Sequence, residues 1–257
     1  LTVNWDQVDK LDITDSDQKQ LTLEKKNSVW VLPQIYGFPV SQKKINDVIS
    51  MLRDLNRPWP TGKTKVSARQ FNVVDKKFER KIVFSAGGKN LQSMYLGTSP
   101  SFKKIHTRVD DELLTYSISM NTYDVATDHE GWLDKSFYKL NKADIKDIKF
   151  KGLKLLNQDG VFQVGGAPEG YETDKSKVRP IVSTVVNPDF TDVVSDTKES
   201  LEKGDVVLEY TVTTQKETLT YTYTNQAPKV AKGGKAKAGK DYKDFITLKV
   251  SKYPYYF

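Results

Sequence analysis

The chain has 257 residues, of which 37% are hydrophobic and 28% charged, and its formal net charge is +7. This length can bury the core of one large domain or of two modest ones. The absence of cysteine excludes disulfides, zinc–thiolate sites and cysteine nucleophiles, and no apolar run approaches the roughly 20 residues that cross a bilayer. Leu1 rather than Met begins the sequence, so we expect a leader or membrane anchor to precede this fragment in the natural protein.

The positive charge alone would favour a polyanion such as nucleic acid, but the excess is small against 40 basic and 33 acidic residues. Much of it lies in residues 229–240, where lysines alternate with Ala and Gly. This segment has too little apolar content to pack and too much Gly for a helix, which predicts a mobile hairpin loop. No aromatic residue interrupts these lysines. Bases would therefore lack a stacking platform, and we predict no nucleic-acid partner.

The first elements in chain order are two strands and one amphipathic helix. Strands are predicted at residues 21–23 and 29–32. Ser41 is a suitable N-cap for the helix that follows. One face of this helix carries apolar residues at a period of 3.6, namely Ile45, Val48, Ile49, Leu52 and Leu55. Arg57-Pro58 is expected to end the helix.

Alternating strands follow. Residues 80–86 and 91–96 flank Gly87-Gly88, which is typical of a hairpin turn. Apolar and polar residues then alternate, which predicts further strands at 105–109, 114–118, 208–212, 219–223 and 246–250. Because strands with one polar face favour antiparallel sheets, we predict an α+β fold that is mostly antiparallel β.

The chain also repeats one order of apolar motifs. The first series is Val8-x-x-Leu11-x-Ile13, Leu21-x-Leu23 and Trp30-x-Leu32; the second is Ile145-x-x-Ile148-x-Phe150, Leu153-x-Leu155 and Phe162-x-Val164. We therefore predict two tandem related units, residues 1–140 and 141–257, each with several strands and one helix. In the second helix slot, Pro180 and the β-branched residues around it predict a helix that starts at Ser176, is short or is absent.

A family resemblance rests on an ordered series of motifs across about residues 1–165. The series is Val8-x-x-Leu11, Leu23-Glu24-Lys25, Val29-Trp30-Val31-Leu32, the helix from Ile45 to Leu55, Tyr95-Leu96-Gly97, a strand carrying Arg108, Trp132-Leu133-Asp134-Lys135 and Asp144-Ile145-x-x-Ile148. It resembles the bacterial family of domain of unknown function 4340. One departure is Phe71-Asn72, which stands where that family is expected to have an aromatic-Gly pair.

The resemblance implies a location and a role. Members of that family are typically extracytoplasmic domains behind an N-terminal membrane anchor, associated with ABC-type transporters and similar to gliding-motility auxiliary proteins. It therefore implies a membrane-anchored domain in the periplasm or at the cell surface, with an envelope protein of a transporter-associated assembly as its partner.

The sequence strings that resemble nucleotide- or metal-binding motifs lack the required spacing. Pro60-Thr61-Gly62-Lys63-Thr64 resembles the end of a phosphate-binding loop, but Arg57 stands where the first glycine belongs and a helix precedes the string. The acidic cluster from Asp124 to Glu130, which includes His129, could bind a cation or solvate a loop. Its spacing matches no EF-hand. We predict no cofactor and no metal site.

Catalytic motifs give no better candidate. The chain has only two histidines; His106 lies on the polar side of the 105–109 alternation, which predicts a solvent-facing ring. No Gly-x-Ser-x-Gly elbow appears. Paired carboxylates, as in glycosidases, stay open because such pairs meet in space rather than along the chain. We predict no catalytic residues and a non-enzymatic function, with an unrecognised hydrolase as the third alternative.

Aromatic residues offer an interaction surface. Tyrosine and tryptophan supply rigid amphipathic contact area, and the candidates are Trp59, Tyr221, Tyr223, Tyr253, Tyr255 and Tyr256. Core packing is the competing interpretation for the tyrosines, whereas Trp59 stands between two prolines and is expected to be partly exposed. The leading hypothesis is thus a protein-binding accessory domain of the envelope. The alternative is a surface module that binds glycan or peptide.

Overall fold

The computed structural model describes residues 3–110, 112–193, 204–226 and 245–254. The lysine-rich segment, residues 229–240, lies outside them. The chain divides into two compact units, Leu1–Asp134 and Lys135–Phe257, against a predicted boundary after residue 140. Both units are mostly antiparallel β, as predicted. Among the described residues, no helix is long and apolar enough to cross a membrane.

The first unit is built on one eight-stranded sheet, in the order β4-β3-β2-β1-β5-β6-β7-β8. Its elements are β1 (Lys10–Asp15), β2 (Gln20–Lys26), β3 (Val29–Leu32), β4 (Phe38–Pro39), α1 (Gln42–Arg53), α2 (Lys65–Gln70), β5 (Arg80–Ala86), β6 (Lys89–Leu96), β7 (Ile105–Val109) and β8 (Thr115–Ile118). Gly87 and Gly88 both have positive φ, +56° and +76°, as the hairpin turn between β5 and β6 requires.

The second unit is built on a six-stranded sheet, in the order β11-β10-β9-β12-β13-β14. Its elements are β9 (Ile145–Phe150), β10 (Leu153–Gln158), β11 (Val161–Val164), α3 (Lys175–Val186), β12 (Asp205–Thr214), β13 (Thr218–Gln226) and β14 (Phe245–Val250). In both units, consecutive antiparallel strands are followed by a helical segment, and the next strand returns beside the first strand of the unit. The first unit has four such strands, β1–β4, and two helices, α1 and α2, rather than the one helix predicted. The second unit has three such strands, β9–β11, and α3.

Equivalent residues of the repeated motifs pair in the same register within each sheet, which confirms the predicted relation between the two units. Leu11 lies opposite Leu23 on one side and Phe84 on the other. Ile148 lies opposite Leu155 and Val212 in the same way. None of these six core side chains is more than 1% exposed. Both sheets therefore bury the same three-strand row at their centre, because a one-residue slip would turn every apolar side chain to the other face.

Helix α1 forms where its apolar period predicts. The Ser41 side chain accepts a hydrogen bond from the Lys44 amide at 3.4 Å, which satisfies one of the free donors of the first turn. The buried residues of the helix are Ile45, Val48 and Leu52. The helix ends at Arg53, so Leu55 lies beyond it rather than on its apolar face.

Helix α3 starts at Lys175, one residue before the predicted start at Ser176, and the alternatives of a short or absent second helix are wrong. It has 12 residues, as α1 has, and Asp174 caps it by accepting from the Ser176 amide at 2.9 Å. The buried face carries Val178, Val182 and Val185, whereas Pro180 is exposed. The carbonyl that the proline leaves without a helical donor belongs to the exposed Ser176, so water can satisfy it.

Candidate functional site

The most exposed large hydrophobic side chain among the described residues is Trp59, at 90%. It lies in the loop of residues 57–62, here called the Trp59 loop, which connects α1 to α2. Pro58 and Pro60 flank it and fix φ on both sides. The indole thus stands in water on a segment with little backbone freedom.

The Trp59 loop is held to the rest of its unit at both ends. On one side, Arg57 donates to a Glu112 carboxylate oxygen at 2.8 Å. On the other side, the amides of Thr61 and Gly62 donate to the Thr115 carbonyl at 2.8 and 3.3 Å, and the Thr115 amide donates to the Gly62 carbonyl at 2.8 Å. Because Thr115 belongs to β8, at the edge of the sheet, the loop continues that edge.

This arrangement is that of a preorganised contact residue. A free loop loses conformational entropy when it binds, whereas a loop already held by main-chain hydrogen bonds loses less. Tryptophan is also among the residues that contribute most to protein interfaces. The Trp59 loop can therefore offer a flat apolar surface to a partner, and it brings no nucleophile or acid–base pair to that surface.

Tyr221 is not part of an accessible surface, and its assignment as an interaction residue is wrong. It is 1% exposed and stacks on Tyr210, with ring centroids 4.8 Å apart. Burial raises the pKa of the Tyr221 hydroxyl. The two rings lie opposite each other on β12 and β13, so for Tyr221 the structure shows the competing interpretation, core packing between strands.

The other tyrosine candidates divide into half-buried residues and residues outside the described ranges. Tyr223 is half-buried beside Tyr210, at 6.1 Å between ring centroids. Tyr253 is half-buried and packs on Phe137 and Tyr138, at 4.9 and 5.0 Å. Tyr255 and Tyr256 lie outside the described residues. Of the six candidates, Trp59 is the one whose ring the structure shows mostly in solvent.

Two carboxylates of the acidic cluster from Asp124 to Glu130 are bound within its own loop or by a neighbouring side chain. Asp124 accepts from the Asn121 amide at 2.8 Å, and Asp128 accepts from the Lys19 ammonium. That hydrogen bond holds the pKa of Asp128 below its usual range. These partners are the ones a solvated, capped loop requires.

His106 is buried, so the predicted solvent-facing ring is wrong. The residue is 7% exposed, its ring stacks on Phe71 at 4.0 Å between centroids, and its Nδ1 lies 3.0 Å from the Thr98 carbonyl oxygen. Both faces of this part of β7 are covered, because the chain after α2 packs on the face that alternation assigns to solvent. Burial consequently lowers the pKa of His106.

This burial predicts a pH dependence of stability. Because the pKa of His106 lies below the ordinary 6.5 in the folded chain, the unfolded chain binds the proton more readily. The stability is present above pH 6.5 and is lost as the pH falls towards the folded pKa. We expect the free energy of unfolding to decrease between about pH 7 and 5, and His106→Gln to remove most of this slope. Urea unfolding at several pH values across this range measures the free energy of unfolding. A His106→Gln variant that keeps the parental pH slope would contradict the assignment of this slope to His106.

Residues that carry the family resemblance converge in the first unit. The Tyr95 hydroxyl donates to Asp75, and the Arg108 guanidinium lies 4.8 Å from the centre of the Tyr95 ring. The Arg108 Nε donates to the Val73 carbonyl at 2.6 Å, and one Nη donates to the carbonyls of Val109 and Glu112. These donors are used on main-chain oxygens, which indicates a structural role in tying β6 and β7 to the chain after α2.

The departure at Phe71-Asn72 keeps the turn that the family pattern implies. Asn72 has a φ of +57°, a left-handed conformation that Asn adopts more readily than most residues other than Gly. The turn therefore forms with Asn in place of Gly. Just upstream, the phosphate-loop-like string ends in Thr64, whose side chain caps α2 by accepting from the Ser67 amide at 3.1 Å. Thr64 thus serves to start a helix.

A family model described as Domain of unknown function (DUF4340) matches residues 30–232, which is more than half of the chain. The match starts after β2 and extends into the second unit, beyond the range of the motif series. No curated protein and no solved structure matches the chain.

Proposed function

Because this chain belongs to the DUF4340 family, we propose that it is a non-enzymatic, membrane-anchored domain of the bacterial envelope. It is held outside the cytoplasmic membrane and binds a protein partner in an ABC-transporter-associated assembly. The observation that supports binding is the Trp59 loop, with an indole that is 90% exposed and a backbone held at both ends.

Burial of the exposed Trp59 indole against a partner would release free energy. An indole in water is a standing cost that burial against a partner removes, at about 25 cal/mol per Å² of apolar area. The hydrogen bonds to Glu112 and Thr115 hold the loop before the partner arrives, so little ordering is left to do. A protein surface with an apolar pocket is the partner that gains most from a fixed tryptophan.

The test is site-specific photo-crosslinking in native membranes with the full-length protein. A photoreactive phenylalanine analogue at position 59 is expected to crosslink to a transporter subunit. The same analogue at position 102 is the matched control, because Phe102 is an equally exposed aromatic, at 87%, in the same unit. Purification of the full-length protein from native membranes without any transporter subunit would contradict the proposal.

A second candidate function is glycan binding, because an exposed aromatic ring also suits stacking on the apolar face of a sugar. Tryptophan fluorescence distinguishes the two. An oligosaccharide that changes the emission of the parent chain but not that of Trp59→Ala would favour the glycan-binding function over the transporter-associated one.

A further inference from the structure

The second unit contains an open groove between α3 and the β10–β11 hairpin, with a volume of about 560 Å³. Its floor is apolar and includes Phe162, Val178 and Val182. Three cations line it, Lys142, Lys175 and Arg179, and no carboxylate of the described residues does. Grooves of this size, apolar with a few placed charges, are typical of binding sites.

In the first unit, the chain itself covers the corresponding sheet edge. β4 pairs with the outer edge of β3, with Phe38 opposite Leu32, and the Val40 amide donates to the Trp30 carbonyl at 2.9 Å. Phe38 and Val40 are both 0% exposed. Trp30 lies opposite Lys25, two positions after Leu23 in β2. In the same way, Phe162 lies opposite Asn157, two positions after Leu155 in β10. Trp30 and Phe162 therefore occupy corresponding positions in the two sheets.

In the second unit, the described residues leave the outer edge at Phe162 without a main-chain partner. The Gly165 amide donates to the Lys154 carbonyl at 2.8 Å, so alternation along an antiparallel pair turns the amide and carbonyl of Phe162 and Val164 outward. The Val164 amide is bound by the Thr173 hydroxyl at 2.9 Å. The amide and carbonyl of Phe162 have no main-chain partner among the described residues, whereas the Trp30 carbonyl accepts from the Val40 amide.

The sequence of the connecting segment explains the difference. Between β3 and α1, the chain carries Ile35, Phe38 and Val40, all buried. Between β11 and α3, residues 165–174 read Gly-Gly-Ala-Pro-Glu-Gly-Tyr-Glu-Thr-Asp and are mostly exposed. A segment so rich in Gly and acidic residues cannot cover an apolar edge. The groove is therefore the place that the first unit fills with its own strand.

We propose that the outer edge of β11 is a strand-addition site that accepts an extended acidic segment of a partner protein, antiparallel to β11. One partner residue pairs with the outward groups of Phe162, and its side chain enters the groove. By comparison with Val40, that side chain is of valine size. Acidic residues on either side face Lys142, Lys175 and Arg179. Main-chain pairing supplies affinity and the groove supplies selectivity.

The experiment uses the full chain and a fluorescein-labelled peptide, Glu-Glu-Thr-Val-Thr-Glu-Glu, with its Lys-for-Glu counterpart. Fluorescence anisotropy is expected to show binding of the acidic peptide and none of the basic one. Arg179→Glu is expected to weaken binding at least about tenfold through charge reversal. Ser183→Trp, an exposed lining residue, is expected to abolish binding by filling the groove. Lys177→Glu is the matched control, because Lys177 lies on α3 outside the groove lining.

Three results would overturn the proposal. Binding that survives Ser183→Trp would place the peptide elsewhere. Strong protection of the Phe162 amide from hydrogen exchange in the free chain would show that the chain's own residues cover the edge. A dimer that Arg179→Glu dissociates would assign the edge to a second copy. The proposal does not rest on the Trp59 loop, because the groove and the loop belong to different units, so either can fail alone.

Discussion

Replacing Trp132 with alanine is expected to lower the free energy of unfolding of the first unit by about 3–5 kcal/mol. The side chain is 0% exposed and is the largest of the fully buried side chains described. Its indole N–H donates to the Ala126 carbonyl at 3.0 Å, and the Lys44 ammonium lies 4.3 Å from the ring centre. The variant therefore loses packing, a buried hydrogen bond and a cation–π contact together.

Trp132 also positions the start of α1. Its carbonyl accepts from the amide of the cap residue Ser41 at 2.8 Å, and Lys44 donates to the Gly131 carbonyl at 2.9 Å. We expect faster hydrogen exchange in the first turn of α1 in addition to the shift in the unfolding midpoint.

The matched control for this prediction is Trp59→Ala, which removes the same side chain from an exposed position. It is expected to change the free energy of unfolding by no more than about 0.5 kcal/mol. Denaturant unfolding, followed by circular dichroism, compares the two variants. Equal losses in both would show that burial does not decide the contribution of these tryptophans.

Much of the fold could be predicted because its signals are local. Period-2 alternation and the order of the apolar motifs located the strands of both sheets except β4, since side chains of one strand face must all meet one core. The relation between Trp30 and Phe162 is visible in sequence and confirmed in register. Local patterns suffice wherever one face of an element decides its burial.

The sequence predictions fail where a segment distant in the chain packs on a face that the local pattern assigns to solvent. They also fail where the structure tolerates a residue that is locally unfavourable. His106 was placed in solvent because alternation along β7 cannot show that Phe71 packs on its ring. For Tyr221 the sequence left a surface and core packing both open, because its partner Tyr210 lies on another strand. Pro180 left a short or absent second helix open as alternatives, yet the helix is complete because Pro180 lies on its exposed side, where a missing amide costs least.

The candidate site was predictable only in part, for the same reason. Two flanking prolines made exposure of Trp59 predictable, but the partners that hold its loop, Glu112 and Thr115, are more than 50 residues away. The groove beside β11 carries no motif at all. It becomes visible only when the two related units are compared in one register, because the described residues of the second unit provide no counterpart to β4.

Replacing Gly97 with alanine is expected to destabilise the first unit by about 3 kcal/mol, at the upper end of the range for overpacking. A Cβ at this position would lie 2.0 Å from the Phe71 carbonyl oxygen and 2.6 Å from the Asn72 carbonyl oxygen. Both are main-chain atoms, so no side-chain rotation can relieve the contact. The φ of Gly97 is ordinary, and close approach of two chain segments, rather than turn geometry, is what requires glycine.

The Gly97→Ala substitution should also disturb the contacts that Phe71 makes with its neighbours. The Phe71 carbonyl accepts from the Thr98 amide at 2.9 Å, and the Phe71 ring stacks on His106. Moving that carbonyl away from a new methyl group breaks the first contact and disturbs the second. We therefore expect faster hydrogen exchange at Thr98 in Gly97→Ala. Gly131→Ala is the control, since its Cβ would meet the end of the Lys44 side chain, at 3.2 Å, and no main-chain atom. If both variants unfold at the same denaturant concentration, close packing at Gly97 is not what the Tyr95-Leu96-Gly97 motif provides.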